Sequence, residues 1–305
     1  MTGVRLPSIQ VAKKTVQAFI DDDCTTMGAS LAYFTVFSLA PLLLTVISIA
    51  GLALGKESVQ ASLQEQVAGL IGTDAATQVQ TMLTHATQST SGGILGTVIG
   101  VVLLLAGATG TFGSLQDALN RVWKVKPDPK RGGVRAFIGK RVLSFGMILG
   151  VAFLLLVSMV ISAALSGIGS WAKGYLPAAL TGGVLEGLNF LVSFAVISVL
   201  FGAMFKVLPD AHIRWRDVWL GACVTSLLFT LGKLGIGFYL AKSATASAYG
   251  AAGSFVLVVL WLYYASLILL AGAEFTKEWM CSSGNPPKPE PGAVKVALEE
   301  HEVRR

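Results

Sequence analysis

Ionisable and hydroxyl side chains interrupt a few otherwise apolar stretches of this sequence, and those positions are where binding chemistry is to be expected. A charge in apolar surroundings is costly unless it faces protein or water. In one stretch, Ser226, Thr230 and Lys233 fall on one stripe at helical spacing. The stripe predicts an anion site at Lys233 that faces the protein interior. The alternative is a lysine whose long stem carries its ammonium out to a polar boundary.

Small polar residues also share one helical face in the first apolar stretch, where Ser38 and Thr45 flank Pro41. Proline removes one backbone donor and frees the carbonyl four residues earlier. Interrupted helices of this kind often line cavities, so the pattern predicts cavity lining. Ordinary tight packing of small residues is the alternative. Asn189, farther along the chain, is predicted to line an interface or a cavity.

The segment LQDALNRVW, residues 115–123, has an apolar helical face and a polar one. Asp117, Asn120 and Arg121 lie on the polar face. The pattern predicts an interfacial helix that docks or gates a charged headgroup. The alternative is a structural elbow anchored by Trp123, with an ion pair between Asp117 and Arg121 one turn apart.

Glu274 lies near the end of the last apolar stretch, in the sequence AGAEF. A carboxylate in such a place should be paired, and Lys277, Arg121 and Arg216 are the candidate partners. A structural ion pair is the simpler interpretation of Glu274. A polar gating role, shared with Arg216, is the alternative.

Catalytic chemistry is not indicated by the residue pattern. The three histidines, His85, His212 and His301, are far apart, and no HxH, HExxH or paired-carboxylate spacing occurs. The sequence also lacks GxxxxGK[ST] and CxxC motifs. We therefore expect no enzyme activity, no metal site and no bound cofactor.

The elements that hold these residues are long apolar segments. Of 305 residues, 53% are hydrophobic and 13% are charged, about half the usual ~25% of soluble domains. Six segments approach the ~20 residues that cross ~30 Å of hydrocarbon. The fold class predicted is therefore all-α, a polytopic membrane protein with six transmembrane helices. The segments lie at about 30–54, 94–112, 142–166, 186–206, 218–240 and 252–275.

The distribution of basic residues predicts the orientation. Of 23 Lys and Arg residues, 19 fall in the terminal regions, 113–141 and 206–216, and three in the opposite loops. Basic loops stay in the cytoplasm, so both termini are predicted to be cytoplasmic. The loop 56–93 is then periplasmic, with two short amphipathic helices. The predicted divisions are an amphipathic segment 1–28, a membrane domain 29–278 and a disordered cytoplasmic tail 279–305.

Several motifs together resemble the YihY/BrkB family of bacterial inner-membrane proteins, over about residues 10–280. The resemblance implies a six-helix membrane domain in the inner membrane. Family members are linked to serum resistance and to export of envelope lipid or lipopolysaccharide, and some carry an old ribonuclease label that the scattered histidines do not support. The motifs are GASLAYFTVFSLAPLLLTVISIAGL (28–52), FGSLQDALNRVW (112–123), LPDAHIRWRDVWLGA (208–222), LGKLGIGFYLAKS (231–243) and YGAAGSFVLVVLWLYYASLILLAGAEFTKEW (249–279).

The polar stripe at Lys233, the basic loops and the resemblance to the YihY/BrkB family together predict the function. They predict a multi-pass transporter or flippase-like protein for a lipid or an anionic amphiphile. The alternative is a membrane scaffold that holds envelope-assembly proteins without transporting anything. Anionic lipid headgroups are the expected partners of the basic loops. Nucleic acid is not an expected partner, whereas a second copy of the chain or an envelope protein is possible.

Overall fold

Long apolar helices account for most of the described chain. The computed structural model describes residues 9–71, 76–77, 79–81, 84, 110–128, 139, 146, 150, 178–242 and 251–296. The helices are α1 (Ile9–Asp21), α2 (Cys24–Leu54), α3 (Lys56–Ile71), α4 (residues 110–122), α5 (Ala178–Val207), α6 (Trp215–Lys242) and α7 (Ala251–Ser282). The strands are β1 (Val125–Pro127), β2 (Ala211–His212), β3 (Lys288–Pro289) and β4 (Ala293–Lys295).

Four of these helices, α2, α5, α6 and α7, have 28 to 32 residues. At ~1.5 Å per residue each exceeds the ~30 Å of a bilayer's hydrocarbon. By length and composition, Gly187–Val207 and Val258–Ser282 qualify as membrane spans, and Cys24–Leu39 is a shorter apolar helix. The four helices coincide with the first, fourth, fifth and sixth predicted segments. The predicted segments 94–112 and 142–166 lie almost wholly outside the described residues.

Helix α7 is central to the packing of the described chain, because it contacts α1, α2 and α6, while α5 lies against α6. The core at one end of these helices includes Leu119, Phe205, Val218 and Leu270, all fully buried. Each of these residues comes from a different helix. The core therefore ties α4, α5, α6 and α7 together near the ends from which the short strands emerge.

Helices α6 and α7 are in close contact at Gly221, Gly232 and Gly272, and the first and last of these glycines meet threonines. A Cβ atom at Gly221 would lie 1.8 Å from the Thr276 hydroxyl, and one at Gly272 would lie 1.9 Å from the Thr225 hydroxyl. Small residues let membrane helices approach closely enough for extensive van der Waals contact. Each threonine hydroxyl donates to a carbonyl of its own helix, Thr225 to Gly221 and Thr276 to Gly272, at 2.6 Å.

The helix predicted at the start of the loop 56–93 is present as α3, whose Val59 and Leu63 are buried. These side chains pack with Leu43 of α2 and Trp261 of α7. The apolar residues at helical spacing therefore face the long helices, as the amphipathic pattern indicated. Of the second predicted helix, Val79 is buried, and Met82 and Leu83 lie outside the described residues.

The predicted disorder of the tail is wrong for residues 283–296. There β3 pairs with β2, and β4 pairs with β1, both antiparallel. The Pro- and Gly-rich composition of this segment is typical of a linker. However, β1 and β2, which lie in the chain between helices, supply backbone hydrogen-bonding partners for β4 and β3. The composition of the tail alone does not reveal these partners. The tail thereby joins the α4–β1 connection to the α5–α6 loop.

Candidate functional site

A cleft of about 520 Å³ lies between α2 and α4. Its α2 wall carries Met27, Ser30 and Phe34, and its α4 wall carries Asp117 and Arg121. The α2 wall is thus largely apolar, whereas the α4 wall is charged. This arrangement suits a molecule that has both an apolar part and a charged one. Gly110, Gly113, Ser114 and Ala118 complete the lining.

Polar contacts join α2 to α4 at both ends of this cleft. At one end the Thr111 hydroxyl donates to Ser38 Oγ at 2.6 Å, and Ser38 is buried. At the other end Lys124 forms an ion pair with Asp22, just before α2 begins. These two contacts hold α2 and α4 together at the two ends of the cleft, and the cleft lies between them. Of the sequence-predicted residues, Asp117 and Arg121 line the cleft, and Ser38 lies at one end of it.

The amphipathic pattern of α4 determines which side chains reach the cleft. Leu115, Leu119, Val122 and Trp123 are buried in the core, as the predicted apolar face requires. Asp117 and Arg121, by contrast, are exposed. Burial of one face holds the helix in a fixed rotation, so the charged face is held toward the cleft.

Asn120 has a different role from its two charged neighbours, because it is buried and binds the α5–α6 loop. Its Nδ2 donates to Asp210 Oδ2 at 2.8 Å, and its Oδ1 accepts from the Asp210 backbone N–H at 2.7 Å. Gln116 Nε2 donates to Asp210 Oδ1 at 3.2 Å. The motifs FGSLQDALNRVW and LPDAH are thus joined through one aspartate.

We expect Asn120→Leu to destabilise the protein by about 1–3 kcal/mol, because a buried amide and carboxylate lose their partners. Gln116→Leu, which removes a single longer bond to the same aspartate, should cost less. Thermal unfolding in detergent compares the two variants. A smaller loss for Asn120→Leu than for Gln116→Leu would contradict this account of the motif.

Next to the cleft, four charged side chains from three separate elements form a buried network. Lys277 Nζ of α7 lies 2.5 Å from Glu274 Oε2 and 3.6 Å from Asp22 Oδ2. Asp22 also pairs with Lys124. Asp22, Glu274 and Lys277 are all buried. Of the three predicted partners of Glu274, the structure therefore supplies Lys277, and the described residues show no ion pair of Glu274 with Arg121 or Arg216.

The surroundings of Asp22 determine its ionisation. Burial by itself would raise the pKa of this carboxyl, but the hydrogen bond and charge of Lys124, together with the charge of Lys277, hold the pKa below its ordinary value of 3.8. Asp22 is therefore ionised at neutral pH. Because its folded-state pKa is depressed, its contribution to stability is present above pH 3.8 and is lost as the pH falls through the lowered value.

The predicted stripe on α6 lies apart from the cleft. Ser226 is buried and donates to Ala222 O at 2.8 Å, and Thr230 donates to Ser226 O at 2.7 Å. Lys233 is half-buried. Both hydroxyls are thus used within their own helix, and the anion site at Lys233 stays a prediction.

The remaining predicted residues are not among the described residues that line the cleft. Helix α2 runs through Pro41 without interruption, and the side chains of Pro41 and Thr45 lie outside the description. Asn189 is exposed on α5, and Arg216 is exposed in the first turn of α6. Among the residues described, no group of three or more His, Cys, Asp and Glu could hold a metal ion.

Sequence reasoning missed Asp22 and Lys124, because each lies in a run of like residues. Asp22 is the middle of three consecutive aspartates, yet only this one is buried. Lys124 has a positive φ of 55° at the end of α4, which turns the chain back toward Asp22 and β1. The available signal was a pair of opposite charges at helix ends: an aspartate just before one apolar helix and a lysine just after a second helix.

Comparison with known proteins agrees with this architecture. Residues 15–294 match the family model for virulence factor BrkB. A UPF0761 membrane protein of Tolumonas auensis is 34% identical over 200 residues, which are 64% of this chain and 60% of that protein. One of Alcanivorax borkumensis is 28% identical over 267 residues, 86% of this chain and 58% of the relative.

A third relative, a UPF0761 membrane protein of Alteromonas mediterranea, is 27% identical over 271 residues, 87% of this chain and 84% of its own length. The chain spans about 60% of the length of the first two relatives. No solved structure matches the chain. With a family match over most of its residues and apolar helices long enough to cross a bilayer, the chain belongs to the virulence factor BrkB family of membrane proteins.

Proposed function

We propose that this chain is a bacterial inner-membrane transporter or flippase-like protein, and that the cleft between α2 and α4 binds the lipid or anionic amphiphile it moves. The observation that carries the proposal is the combination of an apolar wall and a charged wall in a cleft of about 520 Å³. This volume lies within the ~300–1,000 Å³ of typical ligand pockets.

Arg121 is the residue best suited to bind the anionic part of such a molecule. A guanidinium presents several donors in a fixed fork that matches phosphate oxygens. Ser30 and Ser114 line the same cleft and can donate further hydrogen bonds. Met27 and Phe34 offer an apolar surface to an acyl chain. Arg121 lies near the end of α4, within the basic region 113–141, where an anionic headgroup would bind.

The ends of the cleft indicate how it can change shape. The Thr111–Ser38 contact and the Lys124–Asp22 ion pair join α2 to α4, and breaking either would let the helices separate. Lys233 on α6 stays a separate predicted anion site, apart from this cleft. Transport without nucleotide hydrolysis fits the lack of a phosphate-binding loop motif.

The test is lipid movement in proteoliposomes that contain fluorescent phosphatidylglycerol, with dithionite quenching the outer leaflet. Wild-type protein should accelerate exchange between leaflets. Arg121→Gln should slow it by about tenfold or more, because a charge-assisted hydrogen bond contributes ~1.5–3 kcal/mol. Arg216→Gln is the matched control, since Arg216 is equally exposed but does not line the cleft.

A wild-type rate equal to that of protein-free vesicles would reject transport of this lipid class. A scaffold would also give that result, while still binding envelope proteins through its loops. Equal slowing by Arg121→Gln and Arg216→Gln would instead show a general effect of surface charge. In that case the cleft would not be the site.

A further inference from the structure

The fully buried part of the network beside the cleft has one more negative group than positive ones. Asp22 and Glu274 share a single buried ammonium, that of Lys277. Lys124, which pairs with Asp22, and Glu278, whose Oε1 lies 3.8 Å from Lys277 Nζ, are partly exposed. Buried charge that is not balanced is costly. One bound proton would make the network neutral. The other titratable or charged groups near it among the described residues include the thiols of Cys24 and Cys281 and the guanidinium of Arg121.

Two of these carboxylates also have an oxygen atom that lacks a hydrogen-bond donor. Glu274 is fully buried, and Lys277 Nζ lies 2.5 Å from its Oε2, but its Oε1 has no hydrogen-bond partner within the described part of the chain. The same holds for Asp22 Oδ2. Ionised carboxylates only accept, so two that face each other cannot satisfy one another. A proton on Glu274 would convert it into a donor toward Asp22, and both groups would then be satisfied.

The network is mechanically connected to the cleft. Asp22 lies in the two-residue turn between α1 and α2, and Lys124 lies two residues after the end of α4, so their ion pair holds the two cleft walls together at one end. Lys277 bridges Asp22 to Glu274 on α7. A change in the charge of Glu274 therefore alters how strongly Lys277 and Lys124 are held by Asp22. That in turn changes the strength of the contact between α2 and α4.

We propose that Glu274, together with Asp22, is a proton-binding site that couples movement of the amphiphile through the α2–α4 cleft to a proton gradient. The inference rests on the proposed transport function. A proton enters from water, forms an O–H bond on Glu274 and is released again when the cleft changes state. Glu278 lies one turn farther along α7, with 17% of its side chain exposed. It is therefore the carboxylate of the network through which a proton from water reaches Glu274.

Infrared spectroscopy of the wild-type protein in lipid nanodiscs tests proton binding without requiring transport. The spectrum at neutral pH should contain the band of a buried protonated carboxyl, and the band should disappear as the pH is raised. Glu274→Gln should remove this band, while Glu65→Gln, at an exposed position on α3, should leave it intact. If Glu274→Gln does not fold, Glu274→Asp should shift the band. A wild-type spectrum without the band would overturn the inference.

Coupling is tested by repeating the lipid assay with a pH difference across the membrane. For one proton per lipid, a one-unit difference corresponds to a factor of about 10 in the steady-state leaflet ratio. Wild-type protein should show this dependence, and Glu274→Gln should exchange lipid without it. Lipid movement that ignores the gradient would overturn coupling but leave the transport proposal standing. Absence of any lipid movement would reject transport, and the infrared band would then decide the proton site alone.

Discussion

Replacing Lys277 with methionine is expected to destabilise the protein by about 3–5 kcal/mol, the usual cost of removing one partner from a buried ion pair. Lys277 is the ammonium that contacts both Glu274 and Asp22. Without it two buried carboxyl groups lose their shared counterion. Thermal and denaturant unfolding of the purified variant, in the same detergent as the wild type, measures the effect.

Lys126→Met is the matched control, because Lys126 is an exposed residue of β1. Its substitution should change stability by less than about 0.5 kcal/mol. Adding Glu274→Gln to Lys277→Met should recover part of the loss, because the amide cannot ionise and no unpaired charge can then form at position 274. A Lys277→Met protein as stable as Lys126→Met would mean that the network contributes no net stability, and the buried ion-pair account would fail.

The second large effect is expected at the crossing of α6 and α7. Gly221→Ala places a methyl group 1.8 Å from the Thr276 hydroxyl and 2.8 Å from Thr276 Cβ, so the helices must separate. Overpacking of this kind typically costs about 1–3 kcal/mol. The unfolding temperature of the variant should fall accordingly. Adding Thr276→Gly should restore much of the loss, because it removes the atoms that the new methyl group meets.

Gly235→Ala provides the control on the same helix, since a Cβ atom there meets none of the described residues within 4 Å. Alanine has a higher helix propensity than glycine by ~1 kcal/mol, so this change should be neutral or stabilising. If Gly221→Ala and Gly235→Ala behave alike, the close approach at Gly221 is not what holds α6 against α7.

The length of the continuous apolar stretches was sufficient to predict the four long helices that the structure describes, because burial and membrane insertion both act on such stretches. Helical periodicity also predicted the buried face of α4 and that of α3 around Val59 and Leu63. Those faces are local properties of one helix. A window of sequence therefore contains all the information that such a prediction needs.

The partners of individual polar residues were harder to predict, because they depend on which helices meet. Sequence spacing offered three cations for Glu274, and only the one on its own helix, Lys277, forms the pair among the described residues. Asp22 and Lys124 are 102 positions apart in the chain, so no local pattern could join them. The ordered tail was missed for the same reason, since its strand partners lie in distant loops.

The most direct measurement of the central claim, that the α2–α4 cleft binds a lipid or anionic amphiphile, is native mass spectrometry of the purified protein with its retained lipids. Wild-type protein and Arg216→Gln should retain the same anionic lipid, and Arg121→Gln should lose it while remaining folded. Equal retention by all three proteins, or no retained lipid on the wild type, would contradict the claim.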